Sequence, residues 1–305
     1  MTLTGLHILL TYKCTYECDH CFVWGSPWQE GTFTLEQLED VLRQALAVQT
    51  IDTIFYEGGE PFLYYPLLVS GVRQAAELGF ATGIVSNGYW ATTKEDAQIW
   101  LQPLAEAGLD ILQISSDLLH GDEYSTIEDH PAIQASQELG LNASLITLEP
   151  PTGYRDPAKF EAGEPVTGGD IMFRGRAAEA LVAGMPRQDW KAFDTCPYEE
   201  LGTPKRVHLD PLGNLHLCQG ILMGNLFEQP LKQILEEYDP GKLPIVREII
   251  GGGPAQLARA FNVPHEEAYV DACHLCYSAR ESLRTEFPAI LAPDQAYGVP
   301  QPIGS

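Results

Sequence analysis

The chain has 305 residues, 45% of them hydrophobic, and its 18 Lys and Arg oppose 42 Asp and Glu to give a formal net charge of −24. This length and hydrophobic content are enough for a sizeable core and a second, smaller domain. Nucleic-acid backbones attract clusters of Lys and Arg, and because the sequence shows none, its charge argues against a nucleic-acid partner.

The sequence also argues against secretion and membrane insertion. The first ten residues lack the basic start and long apolar run of a signal peptide. No stretch reaches the roughly 20 apolar residues that a membrane span needs. We therefore predict a cytoplasmic protein without membrane contact. In that reducing compartment, seven cysteines, an odd number, are better explained as ligands than as disulfides.

Short β-rich apolar runs alternate with helical patterns through the first two thirds of the chain. Six runs are predicted strands, at residues 6–11, 53–56, 81–86, 111–115, 143–148 and 170–173. Strands that alternate with helices predict a parallel sheet with its functional side chains at the C-terminal ends of the strands. Six such units predict an α/β fold, a partial (βα)6 TIM-like barrel.

Two helical patterns in this region are especially clear. One covers residues 34–49, with a single apolar face and with Thr34 and Gln37 as a capping box at its start. The other covers residues 66–78 and ends at Gly79, which is typical of a helix C-terminus. Both lie between predicted strands, as the alternation requires.

The pattern changes towards the C-terminus. Residues 150–169, rich in Pro, Gly and Glu, are predicted as a loop, and the alternation stops after about residue 190. A β-hairpin is then predicted from residues 206–210 and 215–218, followed by helical patterns at 231–238 and 254–261. We place a domain boundary near 185–195, which gives one domain over residues 1–190 and a second, with an irregular tail, over 191–305.

Cys14, Cys18 and Cys21 form a C-x3-C-x2-C motif directly after the first predicted strand. Thiolates hold iron–sulfur clusters, and three of them leave one iron of a four-iron cluster without a protein ligand. A structural zinc site would need a fourth ligand, and at the usual spacing only His20 could supply it. The motif favours a cluster with one open iron.

Gly58, Gly59, Glu60 and Pro61 follow the second predicted strand, at the same edge of the sheet as the cysteine motif. Two glycines let a backbone approach a ligand closely, and a carboxylate beside them can bind an ammonium group. The alternative is an ordinary strand-to-helix turn. The position beside the cysteine motif favours a ligand site.

Together the two motifs resemble the signatures of the radical S-adenosylmethionine (SAM) superfamily, a resemblance that covers residues 6 to about 180. It implies that the methionyl nitrogen and carboxylate of SAM bind the open iron of a 4Fe–4S cluster. It also implies that the Gly-Gly-Glu-Pro turn contacts the SAM amino group, that His20 lies near adenine, and that an electron donor such as flavodoxin or ferredoxin is a partner.

The same resemblance implies further SAM contacts at the ends of other strands. These are Ser86 and Asn87 after the third strand, Ser115 and Ser116 after the fourth, and Ile146 in the fifth, against adenine. Several relatives place an Arg between the fourth and fifth strands to hold the SAM carboxylate, but none occurs here between Arg73 and Arg155. We assign that contact to Arg174, with Arg176 as the alternative.

The four remaining cysteines all lie in the C-terminal third, at Cys196, Cys218, Cys273 and Cys276. The last two form C-x2-C, and Gly213 with Cys218 forms G-x4-C on the predicted hairpin. Four thiolates suit a closed zinc site or a 4Fe–4S cluster. The residues alone leave both open.

This layout resembles the short "twitch" form of the SPASM domain of radical SAM enzymes, as in the 2-deoxy-scyllo-inosamine dehydrogenases. The resemblance implies a small α+β domain with one auxiliary 4Fe–4S cluster. The full SPASM pattern needs further cysteines, and none follows Cys276. Four cysteines leave no iron vacant, which favours electron transfer over substrate binding.

We therefore predict an enzyme that reductively cleaves SAM to a 5′-deoxyadenosyl radical, which abstracts hydrogen from a small molecule for oxidation, with the auxiliary cluster as electron acceptor. A maturase of a ribosomally made peptide or protein is the alternative, although only 13 residues precede Cys14, too few for a leader-binding domain. A non-catalytic metal-binding protein is the third alternative.

No catalytic residue stands out. Candidates for a general base are Tyr56, Glu57, His120 and Asp122, and candidates for pocket-lining or core aromatics are Trp24, Trp28, Tyr89 and Trp90.

Overall fold

The structure of the protein, a computed structural model, describes residues 2–120, 129–149 and 171–300. Five strands alternate with four helices through its first half. They are β1 (Gly5–Thr11), α1 (Leu35–Ala47), β2 (Thr53–Gly58), α2 (Tyr65–Glu77), β3 (Ala81–Ser86), α3 (Lys94–Ala107), β4 (Ile111–Ser115), α4 (Pro131–Leu139) and β5 (Asn142–Ile146). The mixed α/β alternation predicted from the sequence is confirmed here.

The second half has shorter elements. They are α5 (Ala177–Ala180), β6 (Gln188–Asp189), β7 (Arg206–Leu209), β8 (Asn214–Cys218), β9 (Ile221–Asn225), α6 (Leu231–Glu237), α7 (Pro244–Ala260), β10 (Ala268–Tyr269) and α8 (Ala272–Leu283). The backbone of α7 departs from helical angles at Gly252 and Gly253. β6 and β10 pair antiparallel as a separate small sheet.

One large sheet spans both halves of the described chain. Its strand order is β5-β4-β3-β2-β1-β7-β8-β9. β1 to β5 pair in parallel, and β7 pairs in parallel with the other side of β1, with Gly5 opposite Arg206 and Ile8 opposite Leu209. β7 and β8 pair antiparallel as the predicted hairpin, and β9, which was not predicted, pairs antiparallel with β8. The strands that follow residue 200 therefore extend the N-terminal parallel sheet.

The predicted sixth strand, residues 170–173, differs from the structure. Asp170 and the predicted loop at 150–169 lie outside the described residues, and residues 171–173 form no strand. The main chain there bonds elsewhere: Phe173 N donates to the Asp271 carboxylate at 3.3 Å and Arg174 N donates to the Met172 carbonyl at 2.7 Å. The described part of the sheet thus contains five of the six predicted barrel strands, and the division at residue 190 stays a prediction.

Alternate side chains of β1 point into the main core. Leu6, Ile8 and Leu10 are fully buried and pack beneath the helices with residues such as Leu38 of α1 and Leu68 of α2. Successive side chains of a strand point to opposite faces, so the residues between them face the other side of the sheet. That inner face carries the polar residues discussed below.

Local signals fix the helix ends. The Thr34 side chain accepts from Gln37 N, and the Gln37 side chain accepts from Thr34 N, which confirms the predicted capping box of α1. Gly79 follows α2 with φ +92°, a left-handed conformation that favours glycine. No helix within the described ranges is long and apolar enough to cross a membrane.

A second core lies under the C-terminal elements. Ile245 and Val246 of α7 are buried with Leu217 of β8, Ile221 of β9 and Tyr277 of α8. This core holds α8, which carries Cys273 and Cys276, against β8, which ends at Cys218.

Candidate functional site

The first cysteine motif lies in the loop that leaves β1. Cys21 N donates to the Cys18 carbonyl at 3.0 Å, which turns the loop back on itself. Tyr16 N donates to Cys14 Sγ at 3.4 Å, and Gly25 N donates to Cys21 Sγ at 3.1 Å. Sulfur atoms that accept N–H groups are suited to the thiolate form that binds metal.

Burial makes these three thiols hard to ionise on their own. It raises the pKa of Cys14 to about 11 and that of Cys18 to about 12, and it also raises the pKa of Cys21. Cys21 and Cys14 add to the shift at Cys18 because like charges repel. A bound cation reverses both effects, since metal ligands bind as thiolates. The chemistry of the group therefore fits an iron centre.

Arg176 holds the cysteine loop from a distant part of the chain. Its guanidinium donates to the carbonyls of Cys18 at 2.7 Å and Gly25 at 2.9 Å, and its main-chain N donates to the Cys21 carbonyl at 3.0 Å. Gly175, with φ +60°, allows this approach, because a Cβ there would collide with the Cys21 carbonyl oxygen. The sequence offered Arg176 only as an alternative SAM contact. In the sequence, Gly175 beside it is the one sign that Arg176 holds the cysteine loop.

Gly58 and Gly59 let the end of β2 lie against the start of the cysteine loop. A Cβ on Gly58, which has φ +141°, would collide with the main chain of Thr11, and one on Gly59 with the Lys13 carbonyl. Gly59 N donates to the Thr11 carbonyl at 2.7 Å and Glu60 N to the Lys13 carbonyl at 2.8 Å. The close approach that the sequence predicted towards a ligand is thus made towards the protein's own backbone.

The Glu60 carboxylate is fully buried and engaged within the protein. It accepts from Phe62 N at 2.9 Å, from Ser86 Oγ at 2.9 Å and from Asn87 N at 2.8 Å. Burial raises the pKa of Glu60 to about 7, and these hydrogen bonds oppose the shift. The side chain therefore ties β2 to β3, whereas the sequence interpretation had this carboxylate binding an ammonium group.

Ser86 and Asn87 lie next to the first cysteine group. Asn87 Nδ2 lies 3.5 Å from Cys14 Sγ and donates to Thr15 Oγ1 at 3.0 Å. Pro61, the last residue of the predicted turn, is buried and begins the 3-10 helix Pro61–Tyr64. The ends of β2 and β3 and the cysteine loop therefore form one connected unit.

The other predicted contacts lie farther along the sheet. Ser115 is the last residue of β4, and Ser116 N donates to the carbonyl of Ile146, the last residue of β5, at 3.0 Å. They share the C-terminal edge of the sheet with the cysteine loop, as predicted for a parallel sheet. They lie one and two strands beyond β3.

His20 lies beside a histidine that the sequence considered only as a base. The rings of His20 and His120 meet edge-on with centroids 4.6 Å apart, and His120 Nδ1 lies 2.9 Å from Asp117 Oδ1. Burial, helped by His120, lowers the pKa of His20 to about 4. Ligand atoms of Cys18, His20 and His120 lie within 4.8 Å of one another. This set is the geometric alternative for zinc at the first cysteine group.

The other four cysteines, Cys196, Cys218, Cys273 and Cys276, line one cavity. Cys218 ends β8, Cys273 and Cys276 lie at the start of α8, and Cys196 lies in the loop between β6 and β7. Burial raises the pKa of Cys196 to about 12 and also raises the pKa values of Cys273 and Cys276. The fold thus brings three separate segments together in a second thiol-rich site.

Two buried arginines line the same cavity. Arg174 Nη1 lies 2.9 Å from Glu199 Oε1 and 3.2 Å from Cys218 Sγ. Arg280, only 1% exposed, donates to two main-chain oxygens, one of them that of Cys276 at 3.3 Å. No carboxylate in the described part of the chain pairs with Arg280. Because a buried cation is costly without a counter-charge, the cavity fits an anionic centre.

The position of Arg174 differs from the sequence prediction that it holds the SAM carboxylate. Its guanidinium is committed to Glu199 and lies 5.1 Å above the Phe22 ring, within the lining of the second cysteine site. Sequence spacing gives no sign of this, because Glu199 and Cys218 are 25 and 44 residues away. Arg174 is therefore reassigned to the C-terminal cysteine group.

The candidate bases occupy different environments. Tyr56 is fully buried beneath α2, where a Cβ on Gly71 would lie 2.9 Å from its ring, so it faces the core. Glu57 lies between two histidines on the inner face of the sheet, and His120 contacts Asp117. Asp122 lies outside the described residues.

The candidate pocket aromatics are also separated. Trp90 is buried and stacks on Phe62 with centroids 4.3 Å apart, so it belongs to the core. Trp28 is 70% exposed. Tyr89 is half-buried beside Asn87 and its pKa is raised by burial. Trp24 Nε1 donates to Tyr277 Oη at 2.7 Å and so links the first cysteine loop to α8.

Comparison with known proteins bears on the first part of the chain. Residues 8–124 match the family described as "Radical SAM superfamily". The chain is 27% identical over 143 residues to YydG of Bacillus subtilis (strain 168), named for peptide biosynthesis. It is 30% identical over 115 residues to the "Tungsten-containing aldehyde ferredoxin oxidoreductase cofactor-modifying protein" of Pyrococcus furiosus. These matches cover 45% and 37% of this chain and 45% and 31% of the two relatives, less than half of either.

Among solved structures, the crystal structure of BtrN in complex with AdoMet and 2-DOIA is similar, with a TM-score of 0.52 at 16% identity over 82% of this chain and 88% of that one. At this identity the similarity shows the fold alone. The region of the family match contains both N-terminal motifs, the three cysteines and the Gly-Gly-Glu-Pro turn, and agrees with the resemblance that they carry.

Proposed function

We propose that this chain, with its radical SAM domain over residues 8–124, is an enzyme that holds two 4Fe–4S clusters and oxidises a small organic substrate. When bound, the first cluster and SAM supply a 5′-deoxyadenosyl radical that abstracts hydrogen. The chain binds and orients these groups and keeps water from them. Its architecture, as we propose it, is a partial TIM-like barrel built on β1 to β5, followed by a twitch-type domain over residues 191–305 whose strands β7 to β9 continue the same sheet.

The first cluster would be held by Cys14, Cys18 and Cys21, which leave one iron for SAM. The N–H donors to two of these sulfurs and the hold of Arg176 on the loop support this assignment. The SAM molecule would lie along the C-terminal edge of β2 to β5. The residues that we propose to contact it are His20, Gly58, Gly59, Pro61, Ser86, Asn87, Ser115, Ser116 and Ile146. Glu60 would act indirectly, through the turn that its buried carboxylate fixes.

The auxiliary cluster would be held by Cys196, Cys218, Cys273 and Cys276. The observation that carries this part is the pair of buried arginines, Arg174 and Arg280, in the lining of the cavity. A cluster with four thiolate ligands carries net negative charge, which the guanidinium of Arg280 offsets, while Arg174 also pairs with Glu199. With every iron bound to protein, the site suits electron transfer and would take an electron from the substrate radical.

A zinc ion bound by four thiolates is also anionic, so the buried arginines do not distinguish it from a 4Fe–4S cluster. Metal analysis of the purified protein distinguishes the two. After anaerobic reconstitution we expect about eight irons per chain, and about four after Cys14, Cys18 and Cys21 are all replaced by Ala. Zinc in the C-terminal group, or no iron left in the triple variant, would show that the two-cluster assignment is wrong. His20→Ala and His120→Ala should keep the full iron content, since neither is a proposed cluster ligand.

Arg280→Met tests the role of the buried charge. It removes the cation at similar volume, so we expect the protein to retain only about four irons, those of the first cluster. The control is Arg247→Met, because Arg247 is an exposed residue of α7. Circular dichroism checks that both variants fold. If Arg280→Met retains all eight irons, the buried charge of Arg280 is not needed to bind the auxiliary cluster, and it no longer supports that assignment.

A ribosomally made peptide or protein is the second candidate substrate, and the name of the relative YydG favours it. A screen for substrate-dependent 5′-deoxyadenosine formation, with small molecules and peptides in separate sets, distinguishes the two.

Flavodoxin or ferredoxin would be the physiological electron donor. A non-catalytic metal protein, the third candidate, would not bind SAM after reconstitution.

A further inference from the structure

Three polar residues outside both cysteine groups converge on the inner face of the sheet. His7, Glu57 and His208 come from the neighbouring strands β1, β2 and β7, and His7 is directly opposite His208 in the strand register. The apolar residues beside them belong to the core beneath the helices. Because side chains alternate along a strand, these three point to the opposite side.

The three side chains meet at one carboxylate oxygen. His7 Nδ1 lies 3.3 Å from Glu57 Oε1, and His208 Nε2 lies 3.0 Å from the same atom. The side chains are 18%, 14% and 13% exposed for His7, Glu57 and His208.

These contacts are short without being hydrogen bonds. His7 Nδ1 and Glu57 Oε1 are buried, and neither has a hydrogen-bond partner among the residues that the structure describes. Atoms that share a metal ion at about 2.1 Å lie about 3.0 Å apart at octahedral angles and about 3.4 Å apart at tetrahedral angles. Each nitrogen lone pair then points at the ion, about 40° away from the neighbouring ligand. The observed spacing and the missing hydrogen-bond geometry both match this arrangement.

We infer that His7, Glu57 and His208 bind one divalent first-row transition-metal ion, distinct from the iron of the clusters. Two imidazoles and a carboxylate are a ligand set for Zn²⁺, Fe²⁺ and Mn²⁺. No thiolate takes part, so the site does not compete for a cluster. Three protein ligands leave coordination positions open, where an oxygen or nitrogen atom of a bound molecule can bind.

The metal site lies close to both cysteine groups. Phe22, which follows Cys21, has its ring 6.3 Å from the ring of His208, and Arg174 of the second group lies 5.1 Å above the same Phe22 ring. None of the three metal ligands belongs to either cysteine group. The site therefore does not depend on the proposed radical chemistry, although a molecule bound at the open positions would lie near both groups.

Mn²⁺ is the probe that tests this site, because it favours carboxylate and imidazole ligands over thiolates. The full chain is reconstituted anaerobically, its clusters are kept in their oxidised, EPR-silent state, and Mn²⁺ is titrated while the EPR signal of the free ion is followed. We expect one site per chain that is tighter than the weak binding of the acidic surface. His7→Gln, Glu57→Gln and His208→Gln should each weaken it by roughly tenfold or more, while His265→Gln, at an exposed histidine, leaves it unchanged.

Electron spin-echo modulation of the bound Mn²⁺ keeps the test decisive even if a variant fails to fold. The wild-type spectrum should show nitrogen modulation from two imidazoles, reduced in either histidine variant. A tight site without that modulation, equal affinity in the three variants and the His265 control, or no tight site at all would each overturn the inference. Iron content, measured on the same samples, reports separately on the proposed clusters.

Discussion

Gly59 lies where the end of β2 contacts the main chain of the cysteine loop. An added methyl group would meet the Lys13 carbonyl, and rigid backbone cannot move aside as a side chain can. We expect Gly59→Ala to lower the free energy of unfolding by about 2 kcal/mol or more. Urea unfolding of the reconstituted protein without oxygen measures this change.

Gly251→Ala is the matched control, because a Cβ on Gly251 would have no atom within 4 Å. It lies in a helix, α7, where Ala is preferred over Gly by about 1 kcal/mol. The control should therefore be neutral or slightly stabilising. Equal destabilisation by the two substitutions would contradict the packing role of Gly59.

Spacing groups the cysteines of each short motif, but it does not show which charged residues surround them. C-x3-C-x2-C and C-x2-C place their members within one loop or one helical turn, so local sequence is enough to group them. Arg174 meets Cys218 across 44 residues, and His7 meets His208 only because β7 pairs with β1. Such contacts follow from strand order, which a single sequence does not specify.

At the scale of elements, the hydrogen bond from Trp24 to Tyr277 connects the first cysteine loop to α8, which carries two cysteines of the second group. A double-mutant cycle with Trp24→Phe and Tyr277→Phe isolates this bond from the other contacts of each ring. We expect a coupling energy of about 1 kcal/mol in urea unfolding. Additive effects of the two substitutions would show that the bond does not connect the elements energetically.

Elements with a clear period were predicted well, and those that depend on tertiary partners were not. β3 and β4 have the predicted bounds, and α1 has the predicted capping box. Residues 171–173 have the apolar character of a strand, but their main chain bonds to Asp271 and to a local turn. Periodicity reports burial, and it cannot distinguish a buried strand from a buried irregular segment.

At the scale of the whole molecule, β7 to β9 complete the sheet beside β1. A fragment ending at residue 190 would leave the edge of β1 unpaired. It would also lack apolar residues such as Leu215 and Leu226, so the main-core side chains that pack with them would be exposed. We expect this fragment to aggregate or to unfold without a cooperative transition, unlike the full chain. A monomeric fragment with a cooperative transition near that of the full chain would mean that the N-terminal part folds independently.

The central claim is that the first cysteine group supports reductive cleavage of SAM. The most direct measurement is the formation of methionine and 5′-deoxyadenosine by the reconstituted protein with a reductant and SAM, compared with Cys18→Ala. We predict that the wild-type protein forms both products and that the variant forms neither, because it lacks one of the three ligands of the first cluster. Cleavage by the variant at the wild-type rate, or none by a wild-type protein with full iron content, would contradict the account.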